Sequence, residues 1–137
     1  MQIAEYEDSH FGGVDRLWQS VFPGADERNR AHQAIPMKTA LEDGLFWVAL
    51  DDDGDVIGTV MAGWDGHRGW LYFVATSPDH RRRGVGGALV RKAVAELGAR
   101  GCGKVNLQIR AGNEQVQAFY QSLGFETEPR TSMGMLL

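Results

Sequence analysis

The chain has 137 residues, of which 43% are hydrophobic and 23% charged, a composition typical of one globular domain with a single core. Its net charge of -4 argues against nucleic acid as a partner, and no apolar run approaches the about 18 residues that a membrane span needs. Because Cys102 is the only cysteine and the N-terminus is polar and acidic, we predict a cytoplasmic protein without disulfides, with residues 1–137 as one domain.

The first half of the chain predicts one strand, two helical regions and then three strands. Residues 3–6 alternate like a short strand, and the next helix carries apolar residues at helical spacing, namely Val14, Leu17, Trp18 and Val21. The polar stretch 27–44 contains Pro36, so we predict a helix, a turn and a second short helix that ends near Gly44. Strands are predicted over residues 45–50, 56–64 and 70–77.

The turn between the first two of these strands is acidic, with the sequence DDDGD at residues 51–55. A calcium site is one interpretation, but the glycine position and the missing downstream glutamate do not match an EF-hand loop. A hairpin turn is therefore predicted here. The histidines have no metal-ligand spacing, and we predict no metal site; they are His10, His32, His67 and His80.

The second half of the chain predicts two helices that alternate with strands. Apolar residues at four-residue intervals indicate a helix that ends near Gly101, namely Val85, Leu89, Ala93 and Leu97. Residues 104–111 alternate like a strand, residues 113–125 hold a helix that stops at Gly124, and residues 131–137 are the candidate for a closing strand. The order β-α-α-β-β-β-α-β-α-β predicts a mixed α/β (α+β) fold with a largely antiparallel sheet.

Residues 80–90, HRRRGVGGALV, place three arginines before a glycine turn that opens a helix. Residues 78–137 carry 9 Lys and Arg against 5 Asp and Glu, whereas residues 1–77 carry 5 against 13. The first N–H groups of a helix have no partner within it, and glycines leave those donors open to an anion. Because the arginines add charge and further donors, the turn predicts a phosphate cradle. The alternative is a helix start with solvated arginines and glycines that serve packing alone.

Two motifs in this half resemble those of the GNAT-type N-acetyltransferases. The run Arg81-Arg82-Arg83-Gly84-Val85-Gly86 is similar to the family's R/Q-x-x-G-x-G/A signature. Downstream, Asn113 is followed after seven residues by Tyr120 and then by Leu-Gly-Phe, which resembles the family's N…(F/L)Y…LGF motif. Residues 58–69 resemble the YpeA-like subgroup in particular. The Rossmann and Walker patterns fail, because Leu89 replaces the third glycine and no Gly-Lys-Ser/Thr follows.

The resemblance implies a fold, a cosubstrate and a set of binding residues. The implied fold is a mostly antiparallel sheet of six or seven strands, splayed between strands 4 and 5 and flanked by about four helices. The implied cosubstrate is acetyl-CoA (coenzyme A), whose pyrophosphate would rest on the turn and whose pantetheine arm would pair with the backbone of strand 4. The cofactor-binding residues are then Phe73, Val74, Ala75, Thr76, Arg81, Arg82, Arg83, Gly84, Val85, Gly86, Gly87, Asn113 and Tyr120.

The chemistry implied is direct attack of a primary amine on the bound thioester in a ternary complex. A lysine-like amine has a pKa of about 10.4, so a base must remove a proton before or during attack. By the resemblance Tyr120 is the catalytic acid for the departing thiolate, and a backbone N–H such as that of Ala75 could polarise the thioester carbonyl. Gln108 stands where some relatives have a glutamate base. A water chain, an acidic residue of the first half or His67 are the alternatives.

Three function classes remain open at this stage. The leading hypothesis is an acetyl-CoA-dependent N-acetyltransferase whose acceptor is a small-molecule or protein amine. The second is a non-catalytic acyl-CoA-binding sensor. It stays open because residue 108 is a glutamine and not the glutamate base of some relatives. The third is a phosphate- or nucleic-acid-binding domain, which the acidic composition disfavours. The resemblance implies that residues 22–44, residues 65–69 and the region near the C-terminus set the acceptor, and it leaves open whether the protein forms a homodimer.

Overall fold

The computed structural model describes residues 1–137, which form two compact units, Met1–Leu107 and Gln108–Leu137. The first unit contains β1 (Gln2–Glu5), α1 (Phe11–Val21), α2 (Ala31–Thr39), β2 (Phe46–Leu50), β3 (Val56–Trp64), β4 (Gly69–Thr76), α3 (Val85–Ala99) and β5 (Val105–Asn106). The second contains α4 (Glu114–Ser122). No helix has both the length and the apolar character needed to cross a membrane.

The sheet has five strands in the order β1-β2-β3-β4-β5. Neighbouring strands from β1 to β4 are antiparallel, and β5 pairs with β4 in parallel. The mixed α/β class, the mostly antiparallel sheet and the four helices are thus confirmed. The predicted count of six or seven strands is wrong, because a strand needs a ladder partner and not only an alternating sequence. Only Val105 and Asn106 of the predicted strand 104–111 form a ladder, and residues 131–137 form none.

Helix α2 differs from its prediction, because Pro36 lies inside it rather than between two helices. Proline at this position removes one hydrogen bond of the helix, which tertiary packing can offset. Ala31 and Ile35 are buried on its inner side. The chain after α2 turns at Ala40–Leu41 instead of forming a second helix.

The core lies on both faces of the sheet. Helix α1 covers one face with Val14, Leu17 and Trp18, all of which pack in one buried cluster with residues of β2, β3 and β4. Helix α3 covers the other face, and its buried residues are Val85, Gly87, Leu89, Val90, Ala93 and Leu97. The apolar spacings of α1 and α3 in the sequence therefore predicted the correct faces of both helices.

Gly58 of β3 marks the closest approach between the sheet and α3. A Cβ added at this position would lie 2.8 Å from Leu89 Cδ1, 2.8 Å from Val85 Cγ1 and 3.1 Å from the carbonyl oxygen of Ala75. The first two distances are shorter than real Cβ contacts and the third is tight, so a side chain here would force Leu89, Val85 or the backbone of β4 to shift.

We expect Gly58→Ala to lower the free energy of unfolding by about 1 to 3 kcal/mol, as overpacking of a core does. Urea unfolding measures this loss. Gly63→Ala is the matched control, because Gly63 lies on the same strand and its Cβ would meet nothing within 4 Å. Equal losses in the two variants would show that strand propensity, and not the approach of α3, sets the requirement for glycine.

The predicted acidic hairpin between β2 and β3 is confirmed. Asp51 Oδ1 accepts hydrogen bonds from the N–H groups of Asp53 and Asp55, each at 2.9 Å, and Gly54 N–H donates to the Asp51 carbonyl. Gly54 has a φ of 83°, which favours glycine. The Asp51, Asp53 and Asp55 carboxylates lie within 4.8 Å of one another on an exposed turn, and a side chain that caps its own turn explains this grouping.

In the second unit, Asn113 caps the N-terminus of α4 and Gly124 follows its end. The side chain of Asn113 accepts a hydrogen bond from the N–H of Val116 at 3.2 Å. Gly124 has a φ of 100°, which agrees with its prediction as the stop signal. The side chains of Gln108 and Ser132 are hydrogen-bonded, and those of Gln117 and Thr127 are joined at 2.8 Å. Side-chain bonds, rather than a strand ladder, thus hold the segments around α4.

Candidate functional site

The arginine and glycine turn connects β4 to α3 through backbone in the left-handed region. After a short 3-10 helix at Pro78–His80, Arg82 has a φ of 65° and Gly84 a φ of 78°. A Cβ on Gly84 would meet nothing within 4 Å, so the positive φ alone favours glycine there. The turn ends with Gly84 as the N-cap of α3, and no side chain caps this helix.

The donors at this turn have no acceptors in the protein. The N–H groups of Gly86 and Gly87 donate no hydrogen bond, and the first backbone bond of the helix runs from Ala88 to Gly84 at 3.0 Å. The three arginines before Gly84 are exposed and form no hydrogen bond or ion pair with their side chains. A helix start with open N–H groups and unpaired guanidinium groups is electrostatically suited to a phosphate.

A fourth arginine at this turn was missed in the sequence. A Cβ on Gly87 would lie 3.3 Å from Nη1 and 3.4 Å from Nη2 of Arg91, so this guanidinium group reaches back over the first turn of α3. The signal was present, because residues four apart share a helix face and helical side chains lean towards the N-terminus. Arg91 therefore adds a positive charge beside the open N–H groups.

Strand β4 has a bulge at the residues predicted to bind the pantetheine arm. Thr59 pairs with Ala75 and Met61 pairs with Tyr72, so Phe73 and Val74 of β4 lie opposite Val60 alone. Phe73 has a φ of 50°, which is unusual for a bulky side chain. Bulges of this kind re-aim backbone groups and often lie next to active sites.

Most of the β4 edge that faces β5 is not paired with β5. The two strands pair only at Gly69 with Val105 and at Trp70 with Asn106. Residues 71–76 extend beyond the end of this ladder, and the splay between strands 4 and 5 stays a prediction. The glycine turn follows after Ser77 and the short 3-10 helix, so only a few residues separate the open edge from the open N–H groups.

Tyr120 lies on α4 in the second unit, and Asn113 is the N-cap of that helix. The Tyr120 side chain is 8% exposed, and its ring packs edge-on against Phe119 and Phe125 with centroid distances of 5.0 and 5.7 Å. Burial raises the pKa of Tyr120 to about 12. Its hydroxyl forms no hydrogen bond to any residue of this unit. Asn113 is exposed, and its side-chain oxygen is engaged in the N-cap.

The candidates for the base lie in different surroundings. Gln108 is exposed and its amide donates to the hydroxyl of Ser132. His67 is exposed in the turn between β3 and β4, where its backbone N–H donates to Asp65 Oδ1 at 2.8 Å. Hydrogen bonds from the N–H groups of Arg68 and His67 lower the pKa of the exposed Asp65 carboxyl. Asp65 thus stabilises the turn, and neither side chain is buried as a tuned base would be.

A separate cleft of about 670 Å³ lies near the C-terminus of α3. It is lined by several acidic side chains, and its two cations already have partners: Lys38 binds Asp43 at 2.8 Å, and Arg100 binds Glu96 at 3.2 Å. Helix α3 has 15 residues and is therefore about 22 Å long. The cleft is thus at the opposite end of α3 from the glycine turn.

A five-stranded mixed sheet with a bulged β4, a short β4–β5 ladder and a glycine turn opening α3 defines an acetyltransferase-like α/β fold. The model of the acetyltransferase (GNAT) family matches residues 11–125. Acetyltransferase YE1169 of Yersinia enterocolitica is 35% identical over 137 residues, which cover 100% of this chain and 96% of that protein. Acetyltransferase SG1711 of Sodalis glossinidius is 35% identical over 128 residues, covering 93% and 89%.

Solved structures agree on the fold. The complex of AAC(6')-Iy with the bisubstrate analogue CoA-S-monomethyl-acetylneamine has a TM-score of 0.79 at 20% identity and covers 99% of this chain and 97% of that one. The ribosomal-protein-S18-alanine N-acetyltransferase from Escherichia coli has a TM-score of 0.74 at 23% identity, covering 91% and 77%. The chain belongs to the GNAT family of acetyltransferases, as its two motifs predicted, and it is an enzyme of the acyltransferase class.

Proposed function

We propose that the protein transfers an acetyl group from acetyl-CoA to a primary amine, and that residues 1–137 act as one catalytic domain. The observation that supports it best is the turn after β4, where open N–H groups of Gly86 and Gly87 lie beside arginines without partners. Such a group of donors suits the pyrophosphate of a coenzyme A ester. The family match spans both compact units, which supports a single domain.

The pantetheine arm and thioester are assigned to the backbone of β4 from Phe73 to Thr76. This segment has an edge beyond the β5 ladder and a bulge that breaks its pairing with β3. Coenzyme A would then enter from the turn and extend along that edge. Asn113 is the weakest member of the proposed set, because its side-chain oxygen already caps α4 and leaves only its amide NH₂ to reach a ligand.

The reaction proposed is a direct transfer. The neutral amine nitrogen attacks the thioester carbon, a C–N bond forms, the C–S bond breaks, and the amine loses one proton. Holding both reactants in one complex supplies the proximity without a covalent enzyme intermediate. An N–H of the bulge stabilises the negative charge that develops on the carbonyl oxygen.

Tyr120 is proposed to stabilise the departing thiolate. With a pKa of about 12, its hydroxyl keeps its proton at neutral pH. An ordinary thiol has a pKa of about 8.5, so this tyrosine stabilises the thiolate more readily by donating a hydrogen bond than by losing the proton outright. The thiolate then takes up one proton and the amine releases one, so the protons of the reaction balance.

The acceptor class proposed is a primary amine, either on a small molecule or on a protein. Support comes from structural neighbours that are named as N-acetyltransferases of aminoglycosides and of a ribosomal protein alanine. The base is proposed to be a water chain or an acidic side chain of the first unit, because Gln108 is an amide and His67 lies on an exposed turn. The YpeA-like subgroup stays a prediction, as does a cytoplasmic location.

A ligand screen by melting temperature tests the proposal. We expect acetyl-CoA and CoA to raise the melting temperature by several degrees, since a ligand at 100 times its Kd adds about 2.7 kcal/mol. NAD and ATP at the same concentration serve as controls and should give smaller shifts. Release of CoA with a panel of primary amines then separates an enzyme from a sensor: stabilisation without turnover of any amine favours the sensor.

A further inference from the structure

Three residues from different elements meet at the bulge of β4, and two of them were not candidates in the sequence. Trp18 of α1 donates from Nε1 to Thr59 Oγ1 at 3.0 Å, and Thr59 Oγ1 donates to the carbonyl oxygen of Phe73 at 2.8 Å. The direction is unambiguous, because an indole N–H can only donate and a hydroxyl has one proton. Trp18 is 3% and Thr59 0% exposed.

The same tryptophan also packs against the strained residue. The rings of Trp18 and Phe73 are stacked at a centroid distance of 4.1 Å and an angle of 11°, and Phe22 meets the Phe73 ring edge-on at 6.0 Å. A bulky residue at a φ of 50° persists only where its surroundings enforce it. Trp18 and Thr59 supply that enforcement through one stack and two consecutive hydrogen bonds.

This arrangement determines where the next N–H group points. A trans peptide is planar, so the carbonyl of Phe73 and the N–H of Val74 point in opposite directions. Because Thr59 of β3 binds the Phe73 carbonyl, the Val74 N–H is directed away from Thr59. The ladder between β4 and β5 ends at Gly69 and Trp70 and therefore does not reach Val74. A donor at this position suits the oxygen of a thioester bound along β4.

We propose that Trp18 and Thr59 are positioning residues that hold the Phe73–Val74 peptide in the orientation which stabilises the reacting thioester. The inference rests on the proposed function, because it assumes that the donor lies along β4. It assigns no contact with substrate to either residue. Their effect on the reaction is exerted through the backbone of the bulge.

The test replaces the hydroxyl while it keeps the shape of the side chain. Thr59→Val removes both hydrogen bonds, whereas Thr59→Ser retains the hydroxyl, and Trp18→Phe removes the indole donor but keeps an aromatic ring against Phe73. Val48→Ala is the packing control, because Val48 is fully buried in the same cluster and pairs with Thr59 across the sheet. All four variants are assayed as full chains for kcat, for the KM of acetyl-CoA and for melting temperature.

We expect Thr59→Val to lower kcat by about 10-fold to 10²-fold, as loss of alignment of a reacting group does. The KM of acetyl-CoA should change by less than about 3-fold, because the turn supplies most of the binding, and Thr59→Ser should restore kcat to within about 3-fold of the parent. Trp18→Phe should give an intermediate loss. The proposal is overturned if Val48→Ala lowers both the melting temperature and kcat as much as Thr59→Val does. Trp18 and Thr59 would then act only on stability.

A measurement that needs no turnover keeps this inference separate from the proposed function. The three-bond coupling between the amide and Hα protons of Phe73 reports its φ, and it should change in Thr59→Val but not in Thr59→Ser or Val48→Ala. An unchanged coupling in Thr59→Val would overturn the positioning role even if the enzyme is active. If the parent protein neither binds nor uses acetyl-CoA but the coupling changes as expected, the proposed function fails while the structural role of the pair stands.

Discussion

Gly86→Leu is expected to abolish the thermal stabilisation of the protein by acetyl-CoA. Gly86 is the second residue of α3, and its N–H donates no hydrogen bond within the protein. A leucine side chain at this position would occupy the space in which a phosphate approaches the helix start. Leucine is a better helix former than glycine by up to about 1 kcal/mol, so the helix itself should not be weakened.

The measurement is the melting temperature with and without acetyl-CoA at about 100 times the Kd of the parent, where the parent gains about 2.7 kcal/mol. Gly98→Leu is the matched control: Gly98 lies in the same helix, is exposed, and would place its Cβ in open space. We expect Gly98→Leu to keep the full shift. Retention of the shift by Gly86→Leu would refute the assignment of the turn to the donor.

Tyr120→Phe is expected to lower kcat by about 10²-fold, the scale of a lost hydrogen-bond donor to a charge that develops in the reaction. The affinity for acetyl-CoA should change little, because the hydroxyl is proposed to act on the thiolate that forms during the reaction. The melting temperature should also stay close to that of the parent, because the ring stays packed against Phe119 and Phe125 and the hydroxyl has no hydrogen-bond partner in its unit.

The pH dependence sharpens this test. Burial raises the pKa of Tyr120 in the folded state to about 12 against an ordinary value of about 10. Its contribution to stability is therefore complete below pH 10 and is lost between about pH 10 and 12, as the unfolded state releases the proton first. Any fall of kcat/KM between pH 8 and 10 should thus persist in Tyr120→Phe.

Tyr6→Phe is the control, because burial also raises the pKa of Tyr6 at a site outside the proposed machinery. A Tyr120→Phe enzyme with full kcat would eliminate the role.

Much of the fold could be predicted because its signals are local. The apolar spacing of α1 and α3, the stop at Gly124 and the hairpin at residues 51–55 depend on residues within a few positions of one another. The arginine and glycine turn is local for the same reason. Its sequence alone indicates open donors at the start of a helix, and the structure adds that Gly84 is a left-handed N-cap.

What the sequence determined by itself, then, was the class of fold, the family and the segment of backbone that opens α3, because helix periodicity and turn residues need no distant partner. The tertiary structure alone decided the strand count, the continuity of α2 through Pro36, and the contact of Trp18 and Thr59 with the bulge at Phe73. Residues 18, 59 and 73 are far apart in the chain, and a bulge depends on the register between two strands. No local pattern encodes that register, so only the tertiary structure, in which α1 packs on the sheet, shows this arrangement.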